Sequence, residues 1–315
     1  MHSSEPISDP GRPFSSGEGI GRVREVILAL DPDGSRFARV IRETIDQLLD
    51  GQRTGRFRWD DLHKTEKTHA GTLLEINLAR EFQFADGAEM DFSIGGLDVD
   101  CKFSQVLGGW EIPPEAWNGH HICLVIWASD QQSAWGAGLV RASEQFLRKP
   151  NRDLKRQLTA KGRAGIVWIW EPRMPLPENV LLHLDAETLG AVLASKSGSE
   201  RIRQLFRLVQ GRLIGRGVVA TVAKQDDYMK RLRGNGGARS TLQSEGIVIL
   251  GQYERHREFA GQLGLPLPGP GESVSARLVQ VTPGDPRMKA LLGDLYWAVA
   301  RDGEAVKPGP FIPHA

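Results

Sequence analysis

Residues 97–103, Leu-Asp-Val-Asp-Cys-Lys-Phe, place Asp98, Asp100 and Lys102 on one side of an alternating run and Leu97, Val99, Cys101 and Phe103 on the other, because strand side chains repeat with a period of two. Two carboxylates and an ammonium exceed what a polar strand edge needs. Asp91 stands at the start of the preceding strand and could approach Asp100 across a hairpin, and Glu75, on a helix-like segment upstream, could supply a third carboxylate. The chemistry that uses such a set is metal-assisted phosphodiester hydrolysis. Carboxylate oxygens suit Mg²⁺, which polarises the phosphoryl oxygen, helps generate hydroxide and offsets charge on the leaving oxygen. Slow phosphate chemistry calls for up to about 23 kcal/mol or more of catalysis, whereas one positioned acid or base supplies about 10²–10⁴-fold. A cluster without metal falls far short. Nearby carboxylates oppose the lowered pKa that a base role requires, so Lys102 is read as positioning water and stabilising charge. The bland alternative is a surface Asp100–Lys102 pair, since D-x-K alone is common.

The elements that must carry these residues are legible in part. Residues 22–50 read as helices around the Asp-Pro-Asp-Gly turn at 31–34, with apolar residues recurring at three and four. Another helix is expected from Thr68, a plausible N-cap, through Phe82. Beyond Asp86-Gly87 the period changes: residues 91–94, Gly95-Gly96 and 97–103 have the alternation and turn chemistry of a β-hairpin. Residues 121–128 form a near-continuous apolar run suited to a buried strand. Residues 138–163 read as helical and basic, 165–170 as a strand, and 171–179, with three prolines, as a linker. Further on, 199–233 reads as helical, and Gly234–Ser240 as a loop ahead of a strand at 246–250. Two helices, a Gly-rich turn and a strand fit a winged helix-turn-helix. The Pro- and Gly-rich end, from Pro266, has no clear pattern.

The chain has 315 residues, 40 Lys plus Arg against 39 Asp plus Glu, and 40% hydrophobic residues. That is ordinary for a soluble globular protein of about two domains and excludes global disorder. No apolar run approaches the roughly 18 residues of a membrane span. Residues 1–19 lack the basic and apolar parts of a signal peptide and read as a disordered polar tail. With only two cysteines, the expected compartment is a reducing cytoplasm. Charge is uneven. Ten basic residues face two acidic ones between 201 and 240, and eight face two between 141 and 163. Such faces suit a polyanion, although solvated helix surfaces have the same composition. Lys230, Arg231, Arg233, Arg239 and Ser240 are the DNA-contact candidates, combining charge with backbone donors for phosphates. Ser129, Asp130, Gln131 and Gln132, between Trp127 and Trp135, offer a loop able to read base edges or to hold structure. Tyr228 is read as packing.

The hairpin resembles the PD-(D/E)xK nuclease superfamily. The segments DPDGSRFARVIRETIDQLLDGQRTGR, DLHKTEKTHAGTLLEINLAREFQFADG, VDCKFSQ, HICLVIWASDQQSAW, NRDLKRQLT, GRLIGRGVVATVAKQDDYMKRLRGNGGARS and EGIVILG are similar to the NaeI-like type II restriction endonucleases across roughly residues 20–265. The resemblance implies an α/β endonuclease domain, a mixed central sheet flanked by helices, at 20–170. It also implies a mostly α winged helix-turn-helix domain at 180–315, beyond the 171–179 linker. It implies catalytic Glu75, Asp91, Asp100 and Lys102, the three carboxylates binding Mg²⁺. Partners would be double-stranded DNA in two site copies and a second subunit of a homodimer. The implied reaction is a Mg²⁺-dependent double-strand cut leaving 5′-phosphate ends, at a palindrome expected to be GCCGGC. Met90 precedes Asp91 where proline is usual. Residues 48–53, Leu-Leu-Asp-Gly-Gln-Arg, look like the adenylation motif of DNA ligases, but Leu48 stands at the nucleophile position and has no amine to attack a phosphate. The plainer reading makes Gly51 a helix C-cap. Rival readings are a structure-specific or repair nuclease on the same scaffold, and a non-catalytic DNA-binding regulator.

Overall fold

A computed structural model describes residues 16–233, 236–305 and 307–313. Of the expected N-terminal tail, 1–15 lie outside the described residues, while 16–19 already belong to helix α1 (Ser16–Leu30). Chain contacts divide the molecule into two units, one of residues up to 44 with 68–176, the other of 45–67 with 177–315.

In the first unit the N-terminal helices follow the hydrophobic patterning. The turn at 31–34 separates α1 from α2 (Ser35–Leu49), and Gly34, at φ 76°, leaves no room for a Cβ against Trp135 and Trp170. A four-residue α3 (Gly51–Thr54), in the 45–67 segment that belongs to the second unit, precedes α4 (Lys64–Phe82). Helix α4 starts four residues before the expected Thr68, because Glu66 reaches back to the His63 backbone N–H at 2.8 Å, half of a capping box. Ala70, Leu74, Leu78 and Phe82 form its buried stripe.

Strands β1 (Phe92–Ile94) and β2 (Leu97–Ser104) form the expected hairpin. Gly95 and Gly96, at φ 63° and 80°, supply the two left-handed positions of a tight two-residue turn. Next come β3 (Glu111–Ile112), α5 (Pro114–Asn118) and β4 (Ile122–Ser129). The expected basic helix at 138–163 is absent. Its start lies in β5 (Ala134–Arg141), followed by a 3-10 turn, β6 (Arg156–Gln157) and only a short α6 (Ala160–Ala164). Glycines 136 and 138 allow β5 to lie directly against Pro172, Ile166 and Trp168. Strand β7 (Val167–Pro175) takes up residues 171–175 of the expected linker. The sheet order is β1-β2-β4-β5-β7, with β2 and β4 parallel and the other pairs antiparallel. This is the mixed sheet flanked by helices that was expected.

The second unit contains α7 (Ala186–Leu193), α8 (Gly198–Leu208), β8 (Ile214–Gly215), α9 (Arg216–Ala223), α10 (Tyr228–Arg231), α11 (Ala238–Gln243), β9 (Ile247–Gly251) and α12 (Glu254–Gln262). The expected mostly α character holds only in part, because the stretch after Pro266 forms β10 (Glu272–Val281), β11 (Lys289–Leu292) and β12 (Leu295–Val299). Their order is β11-β12-β10-β8, with β9 also on β10. Strand β9 is buried on both faces: Ile247 and Ile249 join a core with α8 and α9, while Val248 and Leu250 join one with α12 and β10. Gly51 does not cap α2. The left-handed residue there is Asp50, at φ 44°, and Gly51 is needed because a Cβ would fall 2.0 Å from Thr221 Oγ1.

Candidate active site

The hairpin brings Asp91, Asp100 and Lys102 of the expected set together. Continuing the register that pairs Phe92 with Val99 puts Asp91 across from Asp100. Lys102 Nζ donates to Asp100 Oδ1 at 2.6 Å and to the Cys101 carbonyl at 2.9 Å, and lies 3.7 Å from Asp91 Oδ2. Asp91 Oδ2 also accepts from the Cys101 backbone N–H at 2.7 Å, which fixes the carboxylate to the strand. Glu75 projects from α4, half-buried one position after the buried Leu74.

These environments shift the ionisation of each group. Burial pushes the Asp100 carboxyl up to about 6, although the Lys102 ammonium pulls against it. Burial also raises Glu75, with the negative charges of Asp91 and Asp100 adding and Lys102 opposing. For Lys102, burial works against the charge, but Asp100 and Asp91 outweigh it and the ammonium is held above its usual range. Lys102 is thus a charged donor, as its neighbours on the strand predict.

Among the described residues, no three His, Cys, Asp or Glu side chains are gathered closely enough to hold a metal ion as they stand. The donor chemistry nevertheless suits one. The oxygens of Asp100, Asp91 and the Cys101 carbonyl already surround one cation, the Lys102 ammonium, and such oxygens are what Mg²⁺ takes.

Two further residues shape the site, and neither role is visible in the sequence. Cys123 Sγ lies 3.6 Å from Asp100 Oδ2, brought there by the parallel register that pairs Asp100 with Cys123. Asp98, grouped with the candidate set by alternation, instead accepts from the backbone N–H groups of Ala88 and Glu89 at 2.9 and 2.8 Å. It holds the turn that delivers Asp91. The loop read as able to contact bases is partly structural: Asp130 is buried in an ion pair with Arg42, and Trp127 and Trp135 are buried.

In the second unit much of the basic stretch is spent internally. Arg201 donates to the Ser195, Lys196, Val222 and Ala223 carbonyls. Arg203, Arg207 and Arg212 pair with Glu200, Glu245 and Glu178. Lys230 and Arg233 are exposed at and just beyond the end of α10, and Arg231 beside them pairs with Asp227 at 3.0 Å. Arg239 and Ser240 sit differently. Both line a cavity of about 60 Å³ that also touches Gln243, His256 and Ile312, and the Ser240 hydroxyl donates to the Gly237 carbonyl at 3.0 Å. Gly234 and Asn235 of the Gly-rich loop lie outside the described residues.

No helix among the described residues is long and apolar enough to cross a membrane. Cys101 and Cys123 are both free and buried. The family model for restriction endonuclease NaeI matches residues 21–308. The type II restriction enzyme NaeI of Lentzea aerocolonigenes is 54% identical over 302 residues, covering 94% of this chain and 95% of that protein. A match of this extent in both units, over a hairpin that assembles Asp91, Asp100 and Lys102, shows that the chain belongs to the NaeI restriction endonuclease family.

Proposed function

We propose that the protein is a type II restriction endonuclease that makes Mg²⁺-dependent double-strand cuts in DNA at a specific palindrome, with GCCGGC the inherited expectation. The observation that carries this reading is the Asp91–Lys102–Asp100 cluster, standing inside a family match that spans both units. Glu75, Asp91 and Asp100 are the residues that would hold Mg²⁺. Bound there, the ion would neutralise phosphate charge and lower the pKa of water. Lys102, kept protonated by its carboxylates, donates to the developing charge on the scissile phosphate and orients the attacking water in line with the leaving oxygen. The Cys101 N–H holds the Asp91 carboxylate and Asp98 holds the turn before it, so Asp91, Asp100 and Lys102 are positioned before substrate arrives, and Glu75 would close on them to complete the set. The products would carry 5′-phosphate ends.

The second unit is read as a winged helix-turn-helix that binds another copy of the site. Its support is the order α8, β8, α9, α10, α11, β9, β10, with β8 and β9 on opposite sides of β10. The exposed Lys230 and Arg233, with Arg231, would face phosphates. Arg239 and Ser240 are the weaker members of the proposed contact set, because one lines a cavity and the other is engaged with Gly237. A homodimer, with binding at one DNA site favouring cleavage at the other, completes the reading.

The test is digestion of a sequenced plasmid holding several GCCGGC sites, with Mg²⁺ or with EDTA. Discrete Mg²⁺-dependent fragments mapping to those sites are expected. Discrete fragments mapping elsewhere would keep the enzyme and discard the inherited site. Binding without any cleavage would replace the enzyme with a DNA-binding regulator.

A further inference from the structure

The eight residues 148–155 are all exposed and carry Arg148, Lys149, Arg152 and Lys155 against a single carboxylate, Asp153. They are nevertheless a built loop. Its base is closed by the Leu147–Leu158 bridge and by the Arg148 N–H donating to the Gln157 carbonyl at 2.8 Å. Its tip is closed by the Asn151 N–H donating to the Lys155 carbonyl at 2.8 Å. The Asn151 side-chain oxygen accepts from the backbone N–H groups of Asp153 and Lys155, both at 3.0 Å. Leu154 is held at φ 60°, a conformation that non-glycine residues adopt only when the surroundings impose it.

The neighbouring cations serve the fold. Arg156 stacks over Trp117 at 3.9 Å, Arg163 donates to the Leu158 carbonyl, and Arg141 to the His120 carbonyl. Those of the loop do not. Among the described residues no carboxylate lies within ion-pair reach of Arg148, Lys149 or Lys155, and Arg152, 95% exposed, has only Asp153 at 3.6 Å. An ordered loop that gathers mutually repelling cations fits an anionic partner.

The loop also rises on the catalytic side of the sheet. Asp100 and Lys102 are in register with Cys123 and Val125 on the parallel neighbour, so all four share a face. Cys123 and Val125 pack in the cluster that contains Leu147 and Leu158, the two residues at the base of the loop.

We propose that residues 148–155 form a basic finger by which the catalytic unit grips backbone phosphates of the duplex it cuts. This inference rests on the reading of the protein as a DNA-cleaving enzyme. The finger holds the backbone and leaves the sequence unread, because its side chains meet phosphates.

Its test is the salt dependence of kcat/KM for plasmid cleavage in the full-length protein, compared with an Arg152→Ala, Lys155→Ala double variant and with Asp153→Asn. Each phosphate contact adds about −0.9 to the slope of log affinity against log salt, so the double variant should lose about 1.8 of that slope. Asp153→Asn, which removes the only opposing charge, should raise kcat/KM at a given salt concentration, a gain that misfolding cannot imitate. The cut position and the thermal unfolding midpoint should not move. A wild type that cuts, with unchanged slopes in the variants, overturns the finger and leaves the function standing. A shifted cut position would mean that the loop reads bases and overturns the phosphate assignment. A wild type that cuts no DNA overturns both.

Discussion

Lys102 is held by three oxygens of its own strand and hairpin, and the balance of burial against two carboxylates keeps it protonated. That fits the proposed role of charge donor better than that of proton acceptor. Lys102→Ala should therefore lower single-turnover cleavage by about 10²–10³-fold, the usual loss on removing one donor to developing charge, while anisotropy shows DNA binding retained. Cleavage near the wild-type rate would put the active site elsewhere. Asp130 is the contrasting case, a polar residue whose role is to neutralise. It and Arg42 are both buried, so Asp130→Ala takes a bidentate carboxylate from a buried guanidinium and should cost about 3–5 kcal/mol in a urea titration. If the variant instead kept wild-type stability and changed the cut site, the base-reading role would return.

Helix α4 carries Glu75, and its start is set by Glu66. That carboxylate accepts from Arg56 through both oxygens at 2.9 Å and from the His63 N–H at 2.8 Å, and Arg56 with the His63 N–H lowers its pKa to about 2. A carboxylate depressed in the folded state contributes stability above its unfolded pKa, near 4.5, and loses it as pH falls toward 2. Glu66→Gln should therefore lower the urea midpoint at pH 7, and the gap to wild type should close between about pH 4.5 and pH 2. A gap independent of pH would mean that the carboxylate contributes by shape alone. The hairpin that carries the site was legible because its period of two and its paired glycines are local signals. Strand β5 and the second half of β7 were not. Gly136 and Gly138 in β5 weaken any strand reading, and Pro172 in β7 argues for a linker. The reason for both lies in their pairing: β7 is an edge strand, where proline is tolerated, and the register shifts near Gly136, whose missing Cβ admits the Pro172 backbone. The Cys123–Asp100 contact was equally out of reach, since parallel register is fixed by residues far apart in sequence.

At the scale of the whole chain, the sequence suggested a cut at 171–179, but the second unit also takes residues 45–67, so no single break in the chain separates the two units. The inserted segment is part of that unit's interior. Phe57 packs on the core of α8, α9 and α11, and its carbonyl accepts from the buried Asn179 amide at 2.9 Å. Gln52 donates to Asp226 at 2.7 Å. Gly51 lies so near α9 that a Cβ would strike Thr221, and Gly217 of α9 approaches Asp46 equally closely. Losing the partial burial of Phe57 costs a share of the roughly 1.5–3 kcal/mol that full burial of a large apolar side chain is worth, and leaving the buried Asn179 amide unpaired costs about 1–3 kcal/mol more. Against a total stability of about 5–15 kcal/mol for a domain, those two losses alone are a large share. Residues 177–315 expressed without 45–67 should therefore show broad, weakly cooperative melting and bind an apolar dye. The same fragment with 45–67 joined through a flexible linker should recover a sharp transition. Cooperative melting of the shorter fragment, with no gain on adding the segment, would mean that 45–67 only rests on the second unit, and would restore the division read from the proline-rich run.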